Sequence, residues 1–541
     1  MELRNYLIMC IKQSLIIIGV MSSVGLCGQN AFADKLQKTK ATSVESQERV
    51  NAQSNKTDDE GFDDEGFDDG GFDDGGFDDL GDIALSPSKI PPPPSPLRID
   101  GFLRSQWAQW SLRPLKDSWA KGRQSLDLSA KYKKEDWTLT ADGHVEYDLL
   151  YDLADGPFDP IQEEEYRLRY IPGVQSMMKR FSLGQVGITL STGKQIVTWG
   201  ESDGLSALDV INPQDQREPG VADIDDMKLS VWLSRLQIAQ GKHSAEFIVR
   251  HEGNYGILVP PKADYSPFNA MIQQQADRIP PPLVELLQSK SFRFAHEKEG
   301  IARDTQSYFL RYLFRGEGMD IGLYGASLLD QQGVIGSINQ AQLLSPAQKQ
   351  VDITYQHPRY TLTGLTIAKP IGSFLWKGEL VSSLNRPVNV GEEGDINQLE
   401  VVAVDTLTSV IGLSYSGFTD TMLSIDYQKG FLVGEEPDKP FFVPPTLDIL
   451  ALRATRTFWR ERFSTGVVAS FIVPQWSTPS KWLQPKRGGL IRADLSYRLL
   501  DQLKASLGYV HYLTGEAFGP FYGLDEHDRL FMSLRWDFTV Y

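Results

Sequence analysis

The feature that most restricts the fold is a run in which every second residue is apolar. It reads DWTLTADGHVEYDL at positions 136–149, and the alternation holds over all fourteen residues. Successive side chains of a β-strand point to opposite faces, so the run predicts a strand with one apolar and one polar face. Strands of soluble proteins average about 5–6 residues, whereas a tilted strand that crosses a membrane needs about 9–11. The run is therefore typical of a transmembrane β-strand.

The same period of two recurs along the chain from Arg98 to the end. It predicts an all-β fold, a transmembrane antiparallel β-barrel of about 14–18 strands with a central estimate of about sixteen. Aromatic residues such as Trp137, Tyr147, Trp376 and Tyr509 stand near the ends of the apolar rows, as in the girdles at membrane interfaces. A large periplasmic sandwich, propeller or solenoid would share the alternation but would not explain the strand lengths.

The composition excludes one class of membrane protein and one class of partner. The mean hydropathy is −0.29 and the formal net charge is −17. No apolar run beyond the N-terminal region has the length of a spanning helix, which excludes a helical membrane protein. The chain has no basic patch of the kind that binds phosphates, which argues against nucleic acid as a partner.

The N-terminus has the layout of a secretory signal peptide, predicted over residues 1–33. Arg4 and Lys12 precede a short apolar run, and Ala31-Phe32-Ala33 has the small-x-small pattern of a cleavage site. Both cysteines, Cys10 and Cys27, lie in this segment. The mature chain is therefore predicted to have no disulfide, no thiol nucleophile and no Cys-ligated metal.

Residues 34–97 are predicted to form a disordered acidic tail on the periplasmic side, ending in a proline-rich linker at IPPPPSP. Within it, GFDD recurs every five residues, and residues 58–82 hold thirteen acids and no base. Three interpretations stay open: a solvated, self-repelling tail, a docking strip for a partner, or loose Ca²⁺ binding by paired carboxylates. The docking candidates are Phe62, Phe67, Phe72 and Phe77. The weak Ca²⁺ candidates are Asp63, Asp64, Asp68 and Asp69.

Two further segments depart from the strand pattern. RIPPPLVELLQSKSFRF (278–294) has leucines at helical spacing after three prolines, which predicts a partly helical loop. GKQIVTWGESDGLSALDVINPQDQRE (193–218) begins as a strand over 193–199 and then leaves it. Its charged residues predict an inward fold, where they stay wet and paired instead of facing hydrocarbon. The candidates for the lumen, a plug or the substrate path are Gln195, Trp199, Glu201, Asp209, Asn212 and Arg217.

The motif GKQxVxWGES followed by DVINPxDxRE resembles the bacterial outer-membrane family known as domain of unknown function 1302. The last segment, DRLFMSLRWDF, also resembles the final strand of that family, although Thr539-Val540-Tyr541 extends past the aromatic residue. The resemblance covers about residues 98–541 and implies a barrel in the outer membrane of a Gram-negative cell. The amphipathic last strand, which closes on an aromatic residue, also resembles the outer-membrane assembly signal, so outer-membrane lipid and the outer-membrane assembly machinery are expected as partners. The family resemblance also implies a resistance-nodulation-division-type exporter and a periplasmic lipoprotein-carrier-like protein. A fainter likeness to alginate-export barrels keeps a polyanion substrate open.

The function expected from these observations is transport or export of a lipid or other hydrophobic compound. The alternatives are a passive porin-like channel and an outer-membrane hydrolase. The seven histidines include no HExxH or other close metal spacing, and neither a GxSxG elbow nor a phosphate loop is present. No enzyme activity, no cofactor and no metal site are therefore predicted, apart from the weak Ca²⁺ candidates.

Overall fold

The computed structural model describes residues 95–540 except 113–118, 155–157, 203, 221–226, 267, 270–280, 392–398, 474–487 and 516–520. The predicted signal peptide and the predicted tail up to residue 94, with its four Phe and four Asp candidates, lie outside the described residues. Residues 270–280, which include the start of the segment 278–294, also lie outside the described residues.

Twenty-three strands and four short helices form within the described residues. The helices are Leu150–Leu153, Pro160–Tyr166, Pro281–Gln288 and Gln340–Leu344. The strands are β1 (Leu97–Trp110), β2 (Trp119–Lys134), β3 (Trp137–Asp148), β4 (Leu168–Leu183), β5 (Val186–Gln195), β6 (Val231–Gln240), β7 (His243–Arg250), β8 (Glu252–Gly253), β9 (Ser291–His296), β10 (Gly300–Ile301), β11 (Ser307–Gly316), β12 (Met319–Leu329), β13 (Val334–Ile338), β14 (Gln350–Gln356), β15 (Arg359–Ile371), β16 (Phe374–Val390), β17 (Glu400–Tyr415), β18 (Thr421–Val433), β19 (Ile449–Phe458), β20 (Phe463–Ile472), β21 (Gly489–Leu500), β22 (Leu503–Leu513) and β23 (Arg529–Val540).

Eighteen of these strands form one closed antiparallel barrel, which confirms the predicted fold class. Each strand pairs with its neighbours in sequence, apart from β8–β10, β13 and β14, which lie in the connections. The barrel closes where β23 pairs with β1, with Val540 opposite Ile99. Thr539 and Val540 therefore belong to the last strand. Closure leaves no open sheet edge that hydrocarbon would have to cover.

The count of eighteen lies within the predicted range and two above the central estimate. The segment near Gln350 was counted among the predicted strands, yet β14 does not belong to the wall. It joins β9 in parallel and β13 in antiparallel orientation in a separate three-stranded sheet, here called the cap sheet. The prediction of a non-strand segment over 278–294 is correct for the helix and wrong from Ser291, where SFRFAH alternates and pairs as β9.

The two ends of the barrel differ. One end, here the turn end, carries both barrel termini and eight connections of two to five residues. Tight two-residue turns need left-handed backbone, which Gly184 (φ +62°) and Gly372 (φ +60°) supply. The other end, here the loop end, carries the longer connections, including the cap sheet. Short turns at one end and long loops at the other are the arrangement of outer-membrane-type barrels.

The outer face of the wall is apolar and the inner face polar, as the period of two predicts. On β3, Trp137, Leu139 and Val145 are exposed to the outside, while Glu146 and Asp148 are buried inside. Within the described residues, none of the helices is long and apolar enough to cross a membrane.

Candidate functional site

The connection between β5 and β6, residues 196–230, folds into the barrel and is here called the crossing segment. The predicted strand over 193–199 ends earlier, because β5 stops at Gln195. Gly193 makes the departure possible: its φ is +119°, and a Cβ at this position would lie 2.2 Å from the Gln175 carbonyl oxygen. Only glycine tolerates that backbone and that approach, which gives a physical reason for the first residue of the GKQ motif.

Asn212 holds the two ends of the crossing segment together. Its side-chain oxygen accepts a hydrogen bond from Val197 N at 2.7 Å, and its Nδ2 donates to the carbonyls of Gln195 at 2.9 Å and Leu229 at 2.8 Å. Three backbone groups that have left the wall ladder thus gain a partner, as buried backbone polar groups require. Asn212 fixes the point from which the segment extends inward.

The first part of the crossing segment packs against the wall formed by β7, β11 and β12. The indole of Trp199 is fully buried and meets the rings of Phe309 and Tyr324 edge-on, with centroids 5.6 Å and 5.2 Å away. Its Nε1 donates to Glu246 Oε1 at 2.9 Å. A buried Trp needs such a partner for its N–H, and Glu246 in turn faces Arg235 and Arg311.

Two carboxylates on more distant strands receive the next residues, and we call Glu379 and Asp426 the carboxylate anchor. Glu379 on β16 accepts hydrogen bonds from the Glu201, Ser202 and Ala207 amides at 2.7, 3.0 and 3.1 Å, and from Ser206 Oγ at 3.1 Å. Asp426 on β18 accepts from Ser202 Oγ and Gly204 N, each at 2.8 Å. The segment therefore runs from β5 to strands far around the barrel.

The second part of the crossing segment meets the opposite side, through buried charges. Arg217 pairs with Asp215 at 2.5 Å and with Glu146 on β3 at 2.6 Å, and donates to the Glu165 carbonyl at 2.8 Å. Glu218 pairs with Lys121 at 2.7 Å, Arg123 at 2.6 Å and Arg529 at 2.6 Å. We call the following residues the charged cluster: Lys121, Arg123, Glu146, Asp215, Arg217, Glu218 and Arg529.

The protonation of these inward residues follows from their partners. Burial opposes the charge on Arg217, but Asp215 and Glu146 outweigh it and hold its pKa well above the ordinary range. Burial likewise opposes the charge on Glu218, but Arg123 and Lys121 dominate and hold the pKa of that carboxyl far below its usual range. Both side chains are therefore charged at neutral pH and gain their stabilisation as a network.

The structure places all six predicted residues in the crossing segment or at its start. Gln195 accepts from Ser191 Oγ at 2.7 Å and donates to the Leu233 carbonyl. Glu201 contributes its amide to the carboxylate anchor, and Asp209 pairs with Lys228 at 2.9 Å. Trp199, Asn212 and Arg217 have the contacts given above. A role of these residues in the path of a solute stays a prediction.

Sequence reasoning did not find the residues that receive the crossing segment. Glu379, Asp426, Glu246 and Glu146 each lie at an inward position of a wall strand, where a polar residue is ordinary. The one signal is that each is an acid in a position that needs a cation or several N–H donors once water is excluded. No group of three His, Cys, Asp or Glu in the described part of the chain is arranged to hold a metal ion.

A histidine pair lies above the barrel, between the cap sheet and β15. His357 Nδ1 donates to the Asp330 carbonyl at 2.7 Å, so its Nε2 accepts from His296 Nδ1 at 2.8 Å in the neutral form. Its ring stacks on Tyr255. Burial lowers the pKa of His357 to about 4, despite the bond to Asp330, and burial also lowers the pKa of His296. A proton on His357 Nε2 would break the contact between the rings.

Acidification is therefore expected to loosen the cap sheet. The folded state resists protonation of His357 while the unfolded state takes up the proton near 6.5, so stability is complete above about 6.5 and is lost as the pH falls towards about 4. Hydrogen exchange of 291–296 and 350–357, corrected for intrinsic rates and compared with β3, measures the effect. His357→Gln should make the protection of these residues less dependent on pH. Wild-type protection that is constant from about pH 7 to 4 would contradict the expected loosening of the cap sheet.

No curated protein matches the chain. Among solved structures, the outer membrane protein OpdK from Pseudomonas aeruginosa matches at TM-score 0.42 and 8% identity, over 82% of this chain and 99% of that one. OccK11 from the same organism and OccAB3 from Acinetobacter baumannii match at TM-score 0.41, at 12% and 10% identity. Each covers 82% of this chain, and the match spans 96% and 99% of theirs respectively. One fold hosts unrelated functions, so these similarities do not identify a substrate.

The family model described as "Protein of unknown function (DUF1302)" matches residues 116–435. This range includes the whole crossing segment, the motif GKQIVTWGES and both residues of the carboxylate anchor. It is more than half of the 541-residue chain. The protein is a membrane-spanning barrel of the outer-membrane type, and it belongs to the DUF1302 family.

Proposed function

We propose that the protein is an outer-membrane transporter that moves a lipid or other hydrophobic compound. The observation that carries the proposal is the crossing segment, which joins β5 and β6 to β16 and β18 on one side and to β2, β3 and β23 on the other. A passive porin requires a continuous water-filled lumen. A segment held by buried ion pairs and by several carboxylate hydrogen bonds obstructs such a path, which favours a selective transporter.

The orientation of the barrel follows from its two ends. In outer-membrane barrels the short turns face the periplasm and the long loops face outward. The turn end, with both barrel termini, then faces the periplasm, and the predicted acidic tail joins the barrel at that end, at Leu97. The tail is in a position to meet a periplasmic lipoprotein-carrier-like protein or the periplasmic part of a resistance-nodulation-division-type exporter. These partners supply or remove a compound that water does not dissolve.

Reconstitution tests the transporter against the porin. We expect the purified barrel in planar bilayers to conduct small ions poorly, since the crossing segment obstructs the lumen. In vesicles it should accelerate the passage of the hydrophobic fluorophore N-phenyl-1-naphthylamine relative to heat-unfolded protein. High ion conductance with no acceleration of the fluorophore would replace the proposal with a porin. If the fluorophore passes and conductance is low, mass spectrometry of the compound that co-purifies from outer membranes in mild detergent identifies the natural cargo.

Removal of residues 58–82 tests the docking interpretation of the acidic repeats. If Phe62, Phe67, Phe72 and Phe77 bind pockets on a partner, deletion should weaken co-purification of that partner by about tenfold or more, because four weak contacts act together. A matched variant with the four Phe replaced by Ser keeps the acids and isolates the aromatic contribution. Partner recovery that is equal for the full chain, the deletion and the Ser variant would leave only a solvated tail.

A further inference from the structure

The wall of the barrel is incomplete beside the point where β5 turns inward. β4 pairs with β3 from Leu168 to Lys179, but it pairs with β5 only from Gln175 onward. Among the described residues, no strand pairs with 168–174 on the side away from β3. The missing neighbour is the continuation of β5, which becomes the crossing segment after Gln195. We call 168–174 together with the facing residue Ser230 the seam.

Pro172 disfavours ordinary pairing at the seam, and Gly173 lies close against β3 at an irregularity in the register of β3 and β4. Pro172 has no N–H to donate to a neighbouring strand and is therefore suited to a strand edge. Gly173 approaches β3 so closely that a Cβ would lie 2.7 Å from Asp142 Cβ. The seam is bridged by Ser230 Oγ, which lies 2.9 Å from the Pro172 carbonyl oxygen and 2.7 Å from that of Gly173. A hydroxyl has one proton, so it donates fully to one of the two carbonyls at a time.

The seam lies at the depth of the apolar outer face. Pro172 is opposite Gly143, in the middle of β3, and the outward residues of β3 on both sides of it, Leu139 and Val145, are exposed. On the seam itself, Leu168 and Tyr170 are 62% and 59% exposed. Hydrocarbon satisfies no backbone hydrogen bond, so unpaired groups at this depth need another partner. A weakly closed edge in an apolar surface is therefore a place where a solute can enter.

Polar groups lie beside this apolar opening. On the outer face of β5 and β6, Lys194 pairs with Glu252 at 3.1 Å, and His251 contacts Ser234 Oγ at 2.9 Å. Both contacts lie where β6 begins and β7 ends, next to the end of β5 and therefore beside the seam. On the inner face, Asp142 Oδ1 is buried with no hydrogen-bond partner within the described residues. Polar groups on both faces suit a molecule with a polar head and an apolar chain.

We propose that the seam is a lateral portal through which a lipid-like amphipath with an acyl chain passes between the bilayer and the lumen. The inference rests on the proposed transport function and gives it a route. The apolar chain passes the exposed edge at Leu168 and Tyr170, while the head group exchanges water for Lys194, Glu252 and Asp142. Opening breaks the contacts of Ser230 and leaves the pairing of β4 with β3 and of β5 with β6 intact.

Covalent closure of the seam tests the portal. The double variant Pro172→Cys/Ser230→Cys is made in a chain whose native cysteines, Cys10 and Cys27, lie in the predicted signal peptide, and a short bifunctional thiol reagent joins the pair. Vesicle-to-vesicle transfer of a fluorescent acyl-chain phospholipid is expected to fall about tenfold on crosslinking, because lipid cannot pass a closed wall. The matched control is Ala130→Cys/Ala141→Cys, an opposed pair where β2 and β3 are fully paired.

A second variant keeps the test informative if the crosslinked protein is unstable. Ser230→Ala removes the hydroxyl bridge and is expected to increase phospholipid transfer about twofold to fivefold, since it removes one hydrogen bond of about 1 kcal/mol. One outcome is that the wild type transfers phospholipid at a rate that neither the crosslink nor Ser230→Ala alters. That result would overturn the portal and leave the transport function standing. Absence of any transfer by the wild type would instead overturn the transport function.

Discussion

Replacing Glu379 and Asp426 together with alanine is expected to raise the ion conductance of the reconstituted barrel by about tenfold or more, towards that of an open pore. The two carboxylates accept six hydrogen bonds from the crossing segment, four at Glu379 and two at Asp426. A hydrogen bond contributes about 0.5–1.5 kcal/mol, and about 1.5–3 kcal/mol where its acceptor is charged. Losing these hydrogen bonds releases residues 200–207 from β16 and β18, while Asn212 still holds the two ends of the crossing segment together.

Single-channel recording in planar bilayers measures the effect. The isosteric pair Glu379→Gln and Asp426→Asn keeps an acceptor oxygen at each position and should give a smaller increase. The control is Glu400→Ala, which removes an exposed carboxylate from the adjacent β17 and its surface pair with Lys439. Conductance that stays at the wild-type level in a folded double alanine variant would show that the crossing segment does not obstruct the lumen.

Arg217→Ala is expected to reduce the free energy of unfolding by about 3–5 kcal/mol. The guanidinium is almost fully buried and neutralises Asp215 and Glu146. Removing it takes the bidentate partner from Asp215 and one of two arginines from Glu146, which keeps Arg123. The uncompensated buried charge, mainly on Asp215, dominates the loss. Arg217→Lys should recover only part of it, because an ammonium cannot reproduce the planar, bidentate contact with Asp215.

Equilibrium unfolding in urea from lipid vesicles checks this prediction. The control is Arg167→Ala, which removes an arginine that is 41% exposed and pairs with Glu163 and Asp152 at the surface. Exposed ion pairs contribute about 0–1 kcal/mol, so the control should unfold close to wild type. Equal destabilisation by the two substitutions would mean that the charged cluster does not hold the crossing segment in place.

Several parts of the architecture were predictable because they depend on local pattern. The alternation in 136–149 predicted a membrane strand, and β3 is one. The leucines after three prolines predicted a helix, and Pro281–Gln288 forms one. The density of charge in 193–218 predicted an inward fold because lipid excludes charge. The strand count was less certain, since β14 alternates like a wall strand yet pairs in the cap sheet.

The partners of the crossing segment were not predictable in this way. Glu379 follows Glu201 by 178 residues and Asp426 follows Ser202 by 224, and each acid looks like any inward residue of a polar lumen. The end of β5 was also misplaced at Trp199, because IVTW continues the apolar alternation. Only the positive φ of Gly193 and the side-chain contacts of Asn212 move the end of the strand to Gln195, and the seam follows from that shift.

The sequence by itself determined that this chain forms a closed, membrane-spanning β-barrel, because the period of two and the strand lengths are set by local geometry and by the thickness of hydrocarbon. It also determined the family, through a motif within one segment. Only the tertiary structure decided which walls receive that segment, which charges neutralise each other and where β4 lacks a neighbour. Those features depend on the closure of eighteen strands, which brings together residues hundreds of positions apart that no local pattern relates.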